Sequence, residues 1–303
     1  MGTDDQTTVL VIGASGYIGG RLVGSLRGGD APLRVAGRHP ADLHERWPDL
    51  DAVAIDVLQP STLRPALDGV RVAYYLVHSM AEGEAGFAER DRRAARSVAE
   101  ASREAGVDLL VYLGGLGSKD DQLSHHLASR HETGRVLAEH GPPVLEFRAG
   151  MVIGAGSASF RMLMDLVKRL PLMVTPRWVR TRSQPIAIDD VVAYLDRARA
   201  FVPREQHTIV EIGGADVLSY RDMMLRAAGI RGRKPVIVTV PVLTPRLSSL
   251  WCGLVTAVPT SIARPLIDGL RNETIVTDDS AARRFPDVVP MGFDDAVHRA
   301  LSE

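Results

Sequence analysis

Directly after the apolar run Val9 to Ile12 the chain reads Gly13-Ala14-Ser15-Gly16-Tyr17-Ile18-Gly19, and a helical pattern starts at Ile18. This turn constrains the fold more than any other segment. Three glycines spaced this way between a strand and a helix permit a tight turn at Gly13, a close backbone approach at Gly16 and close helix-on-strand packing at Gly19. The unpaired N–H groups that open the helix then face whatever lies over the turn, which suits a diphosphate. Gly13, Ser15, Gly16, Tyr17, Ile18 and Gly19 are therefore expected to hold the pyrophosphate of a dinucleotide. A plain strand-to-helix turn without a ligand is the alternative.

The rest of the first half fits that start. Short β-branched runs predict strands at Leu33 to Ala36, Val53 to Ile55, Val72 to Val77, Leu109 to Leu113 and Val144 to Arg148. Helical patterns fall between them, at Ile18 to Arg27, Glu89 to Ala105 and Leu123 to His140, with Gly106 and Gly141 as stops. Such alternation predicts an α/β chain with a doubly wound parallel Rossmann sheet. Beyond Gly150 the rhythm changes and prolines interrupt shorter helical pieces, which predicts a smaller, discontinuous C-terminal substrate lobe. The expected division is 1–155 for the nucleotide-binding domain and 156–303 for the lobe, with 186–215 returning to the first. Within that return, Ile186 to Ile188 reads as a strand of the main sheet and Thr208 to Ile212 as a further one.

The end of the second strand discriminates between the two pyridine nucleotides. An acid there would accept the adenosine ribose hydroxyls, but the chain reads Ala36-Gly37-Arg38-His39. Arg38, with His39 as helper, offers donors to a 2′-phosphate, so the cofactor expected is NADP(H). An ordinary solvated arginine is the other reading. Asp56 with Val57, past the third strand, and Val77 with His78, past the fourth, complete the expected cofactor contacts, because ligands bind at the carboxyl ends of such strands. Asp56 reads equally as a cap for the helix starting near Pro60. Arg148-Ala149-Gly150, at the end of the sixth strand, is expected to border the nicotinamide.

Charge balance removes one class of partner. With 36 Lys and Arg against 37 Asp and Glu, the chain lacks the basic excess that phosphate-backbone binding demands, so no nucleic acid is expected. One cysteine, Cys252, cannot form an internal disulfide, which with the polar start Thr3-Asp4-Asp5-Gln6 points to the cytoplasm. Leu250 to Val258 is far shorter than the roughly 20 apolar residues of a spanning helix, so no transmembrane segment is expected, although a contact with a membrane surface stays open. Oligomeric state is not legible.

Several segments resemble the atypical short-chain dehydrogenase/reductases, in particular the NmrA-like, NAD(P)H-binding branch with an extended-type C-terminal lobe. They are Gly13 to Gly20, Tyr75 to Met80, Tyr112 to Leu116, His126 to Glu132, Ile212 to Gly214, Pro241 to Leu247 and Pro259 to Pro265. The resemblance implies a Tyr-x-x-x-Lys pair on the helix after the fifth strand and a serine at that strand's end. Here the pattern departs. In register with Ser129 and Glu132, His126 takes the tyrosine position, Arg130 the lysine position, and Gly114-Gly115 the neighbourhood of the serine. Residues four apart share a helix face, so His126 and Arg130 can both reach a nicotinamide. Arg130 would hold the ribose while lowering the pKa of His126, which handicaps the imidazole as an acid. Arg130 reads alternatively as a surface partner of Glu132 or Glu100.

The candidate catalytic residues are His126, Arg130 and Ser79, the last able to donate to a substrate oxygen or to cap the next helix. His125, His126 and His131 lack a convincing further ligand except Asp121, so no metal is expected. Ser157, Ser159, Phe160 and Arg161 should overhang the site, and Trp178, Tyr220 and Trp251 are either pocket wall or core. Two functions follow. One is an NADPH-dependent oxidoreductase passing hydride to a small, largely apolar carbonyl or enone-type substrate. The other is a non-catalytic NADP(H)-binding sensor or assembly factor.

Overall fold

Thr8–Ile12 (β1) is buried at four of its five positions, and a strand apolar on both faces belongs inside a sheet covered on both sides. The computed structural model describes residues 8–77, 86–117, 122–169, 172–175, 177–239 and 267–303, and it places β1 near the middle of a seven-stranded sheet. After β1 come α1 (Tyr17–Leu26), β2 (Leu33–Gly37), α2 (Pro40–Arg46), β3 (Asp51–Ala54), α3 (Pro60–Leu67) and β4 (Val70–Tyr75). Next are α4 (Phe87–Glu104), β5 (Leu109–Gly115), α5 (His125–His140), β6 (Val144–Ala149), β7 (Val152–Ile153), α6 (Ala158–Arg169), β8 (Leu172–Thr175) and β9 (Arg182–Ser183). Then follow β10 (Ile186–Ala187), α7 (Ile188–Ala198), β11 (His207–Ile212), β12 (Leu218–Ser219), α8 (Tyr220–Ile230) and β13 (Val236–Thr239), with two more helices at Ser280–Arg284 and Phe293–Ser302.

The sheet order is β11-β6-β5-β4-β1-β2-β3, and every neighbouring pair is parallel. The chain therefore winds outward in one direction from β1 and in the other from β4. Their carboxyl ends bound a crevice, because the crossover helices on either side leave from opposite faces. This is the doubly wound α/β arrangement expected from the sequence.

Alternate residues of β1 feed two cores. Val9 and Val11 join Leu22, Val35, Phe147 and Tyr194 on one face; Leu10 and Ile12 join Tyr75, Leu110, Tyr112 and Val136 on the other. A third core lies apart from the sheet, built from Ile153, Phe160, Leu163, Val167, Met223 and Val297. The late segments are divided between these cores. Helix α7 packs on α1, and Ala281, Phe285 and Val288 lie with the first face of the sheet.

Several expected strands differ in detail; the fourth spans Val70–Tyr75 rather than Val72 to Val77. The third spans Asp51–Ala54 rather than Val53 to Ile55, since an edge strand is half-exposed and hydropathy marks its ends poorly. Ile186–Ala187 pairs with β7 in a separate two-stranded ladder, not with the main sheet. Its third expected residue, Ile188, already starts α7, where Asp189 and Asp190 occupy a first turn that favours negative charge. What joins the main sheet is β11, alongside β6. Among the described residues no helix is long and apolar enough to cross a membrane; Leu250 to Val258 and Cys252 lie outside them.

Candidate active site

The turn after β1 requires its glycines. Gly13 has a φ of 93°, and a Cβ there would stand 3.0 Å from the Leu76 carbonyl oxygen. A Cβ on Gly19 would come within 2.2 Å of the Gly13 oxygen, so α1 crosses β1 at a distance only glycine allows. At the start of α1, Gly16 supplies no side-chain cap and the first turn carries no acid. The N–H groups there are left for an anion.

Over this turn lies a cavity of about 640 Å³. Gly13, Ser15, Gly16, Tyr17, Ile18 and Gly19 form part of its wall, and Arg38, Asp56, Val57, Val77 and Arg130 continue it. Of the expected cofactor residues among those described, His39 is not part of the wall: it is exposed at the start of α2. His78 and Ser79 lie outside the described residues. Asp56 does not cap α3, whose cap position is Gln59. Its Oδ1 accepts from Leu58 N at 3.0 Å and its Oδ2 from Gln59 Nε2 at 3.1 Å, closing its own turn at the cavity edge. Leu58, Leu76 and Leu113, which no motif flags, also line the cavity.

Helix α5 is fixed at its entry. Ser124 caps it by accepting from Leu127 N, while Asn272 receives Ser124 N at 3.0 Å and donates to Gln122 O at 3.1 Å. His126 and Arg130 thereby reach the cavity together, one turn apart. Arg130 donates to Leu113 O and lies 5.3 Å from the Tyr112 ring centre. Its expected surface partners are engaged elsewhere, Glu132 with Arg92 at 2.8 Å and Glu100 with Arg96 at 2.9 Å. Burial, reinforced by the Arg130 charge, pushes the His126 imidazole down to about 4. Near neutral pH it is an uncharged ring, able to donate one N–H but not to act as an imidazolium acid. His131 contacts Gly115 O at 2.9 Å. Among the described residues no three His, Cys, Asp or Glu side chains gather as metal ligands, and Asp121 lies outside them.

The glycines at the serine position also have a local cause. A Cβ on Gly114 would stand 2.8 Å from Glu146 Oε1, and one on Gly134 would stand 2.1 Å from Glu146 Oε2. Glu146 is fully buried on β6, and accepts from Arg148 Nε at 2.6 Å and from His207 Nε2 at 2.7 Å. Burial opposes its ionisation, but the hydrogen bonds from His207 and Arg148 together outweigh it and hold the pKa below the usual carboxylate range. Arg148, expected at the nicotinamide, thus turns to Glu146 and is absent from the cavity wall, which Ala149 and Gly150 supply instead. A buried carboxylate on a central strand attracts its neighbouring cations more strongly than open solvent does.

Beyond Gly150 the wall becomes apolar, with Met151, Met162, Leu163, Leu166 and Met224. Trp178 and Tyr220 line it as well, and so do Ser157 and Ser159, whereas Phe160 is core and Arg161 is exposed. Trp251 lies outside the described residues. Sequence reasoning missed the Met and Leu side chains, although 162, 163 and 166 share one face of α6 by spacing alone. Tyr17 ties the two ends together: a Cβ on Gly156 would lie 2.2 Å from its Cδ2, and one on Gly154 2.3 Å from its hydroxyl.

Residues 13–141 match the family model described as NAD(P)H-binding. A curated relative, the ceramide reductase of Caulobacter vibrioides, is 27% identical over 248 residues, covering 80% of this chain and 76% of its own. The NADPH-dependent quinone oxidoreductase of Escherichia coli, solved with NADPH, superposes with a TM-score of 0.76 at 18% identity, covering 97% of this chain and 99% of that one. The triphenylmethane reductase of Citrobacter sp., solved with NADP(H), gives 0.76 at 15% identity over the same shares. Likenesses at that identity establish the fold alone, which is of the Rossmann type.

Proposed function

We propose that this chain, whose residues 13–141 match the model described as NAD(P)H-binding, is an NADPH-dependent oxidoreductase that passes hydride to a largely apolar carbonyl or enone-type substrate without a Tyr-x-x-x-Lys pair. One observation carries this: a single cavity joins a glycine cradle that added Cβ atoms would fill to a wall of Met and Leu side chains. The bound nucleotide would supply the hydride. The open N–H groups of α1 hold the pyrophosphate, and Arg38, with no acid competing at the end of β2, receives the 2′-phosphate and sets the preference for NADP(H). Arg130 is positioned to hold the nicotinamide ribose. His126, neutral, offers an N–H to the substrate oxygen as charge develops there, and water furnishes the proton. The apolar wall excludes bulk water and binds hydrocarbon. Similarity to a protein called ceramide reductase supports an acceptor carbonyl borne on a long-chain lipid.

A second reading, a non-catalytic NADP(H)-binding sensor, draws support from the neutral state of His126, since the group in the tyrosine's place has no acidic proton to give. The two are separated by incubating the protein with NADPH and a panel of long-chain ketones and enones. Steady nucleotide oxidation with matching reduced product supports the reductase. Tight nucleotide binding with no turnover of any acceptor supports the sensor.

A further inference from the structure

At the apolar end of the cavity one buried donor is left over. Trp178 sits on the short 3-10 turn Arg177–Arg180 and lines the cavity, and its indole Nε1 is shielded from solvent with no hydrogen-bond partner. A buried polar group left unpaired is destabilising, and because Trp178 belongs to the cavity wall the acceptor it lacks can be brought by a ligand. Its polar neighbours have no such need. Tyr220 meets the indole edge-on, ring centres 6.2 Å apart and planes at 81°, and its hydroxyl bonds with Ser183 and Thr274. Thr274 in turn donates to Ser183 Oγ at 2.6 Å. These three hydroxyls satisfy one another.

The chemistry of the missing acceptor is narrow. An indole N–H only donates, so it rejects ammonium and other pure donors. The cavity's cations, Arg38 and Arg130, belong to the end of β2 and to α5, whereas the third core around Trp178 consists of Met162, Leu163, Met223 and other apolar side chains. An anion there would be buried without a counter-charge. What remains is a neutral oxygen on a molecule whose other surface is hydrocarbon. Thr274 packs on Gly150, where a Cβ would lie 3.2 Å from its Oγ1, so this patch adjoins the carboxyl end of β6, where Ala149 and Gly150 line the cavity.

Resting on the reductase reading, we propose that Trp178 Nε1 is a specificity donor that binds a second, neutral oxygen of the substrate, an amide carbonyl or a hydroxyl, carried on the same long chain as the reacting carbonyl. The test compares two ketones of equal chain length, one bearing an acylamino group near the carbonyl and one plain. In the native protein kcat/KM favours the keto-amide by about tenfold or more, as expected for a site that leaves a buried donor unpaired with the plain analogue. Trp178→Phe raises KM for the keto-amide about tenfold more than it raises KM for the plain ketone, so the native preference is lost through KM rather than kcat. A second readout uses native protein labelled with 15N in its three tryptophan indoles. The indole signal missing from Trp178→Phe shifts downfield on adding keto-amide and not on adding plain ketone. Equal handling of the two ketones by native protein and variant, or an unmoved indole signal, overturns the proposal while leaving the reductase standing. Failure of the native protein to reduce either ketone refutes the reductase and this donor's role with it.

Discussion

The proposed function assigns the most chemistry for single side chains to Arg38 and His126. Arg38 lies at the exposed lip of the cavity, where a guanidinium can meet a phosphate but contributes little to an unphosphorylated ribose. Arg38→Ala is expected to raise the Kd for NADPH by roughly 10- to 100-fold and that for NADH by less than about threefold, measured by titration. His126 has its imidazole pushed from 6.5 to about 4, first by burial and then by Arg130. It therefore takes up a proton only as pH falls through about 4, whereas an unperturbed histidine would do so near 6.5. The profile of kcat/KM should show no histidine step between pH 6 and 7 and should fall only toward pH 4. A step near 6.5 would place His126 in solvent. The sequence brought both residues forward by position alone. It also foresaw the sign of the Arg130 effect, but the depth of the shift comes from burial, which no local pattern encodes.

Among the elements, β5, β6 and α5 form the least tolerant unit. Gly114 and Gly134 leave room for Glu146, which holds Arg148 and His207 inside the sheet. Gly134→Ala would place a methyl 2.1 Å from Glu146 Oε2, which accepts from His207, in a carboxylate whose other oxygen accepts from Arg148. The expected loss is about 1–3 kcal/mol in urea unfolding, with α5 displaced and His126 and Arg130 moved from the cavity, so kcat/KM falls as well. Unchanged stability would mean that Glu146 yields easily. The strand-turn-helix at Gly13 was legible because its requirements are local: one positive φ and two close approaches lie within seven residues. The Glu146 cluster was not, since Arg148 reads as a strand end and His207 lies 61 residues away.

At the scale of the whole molecule, the proposed function depends on joining two dissimilar surfaces. The nucleotide cradle comes from the amino-terminal strands, while the apolar wall is assembled from α6, the turn at Trp178, α8 and the residues near Leu270. Sheet order and the crevice between β1 and β4 follow from alternating strand and helix patterns, so they could be read in advance. The apolar wall could not, because its parts are scattered over more than one hundred residues and each alone resembles ordinary core. Tyr17, packed against Gly154 and Gly156, is where the surfaces meet. Occupation of the cradle end of the cavity by a phosphorylated pyridine nucleotide is most directly examined by titration calorimetry of the purified protein with NADPH and with NADH. One nucleotide per chain is expected, with NADPH held at least about tenfold more tightly; no heat with either, or a preference for NADH, would contradict it.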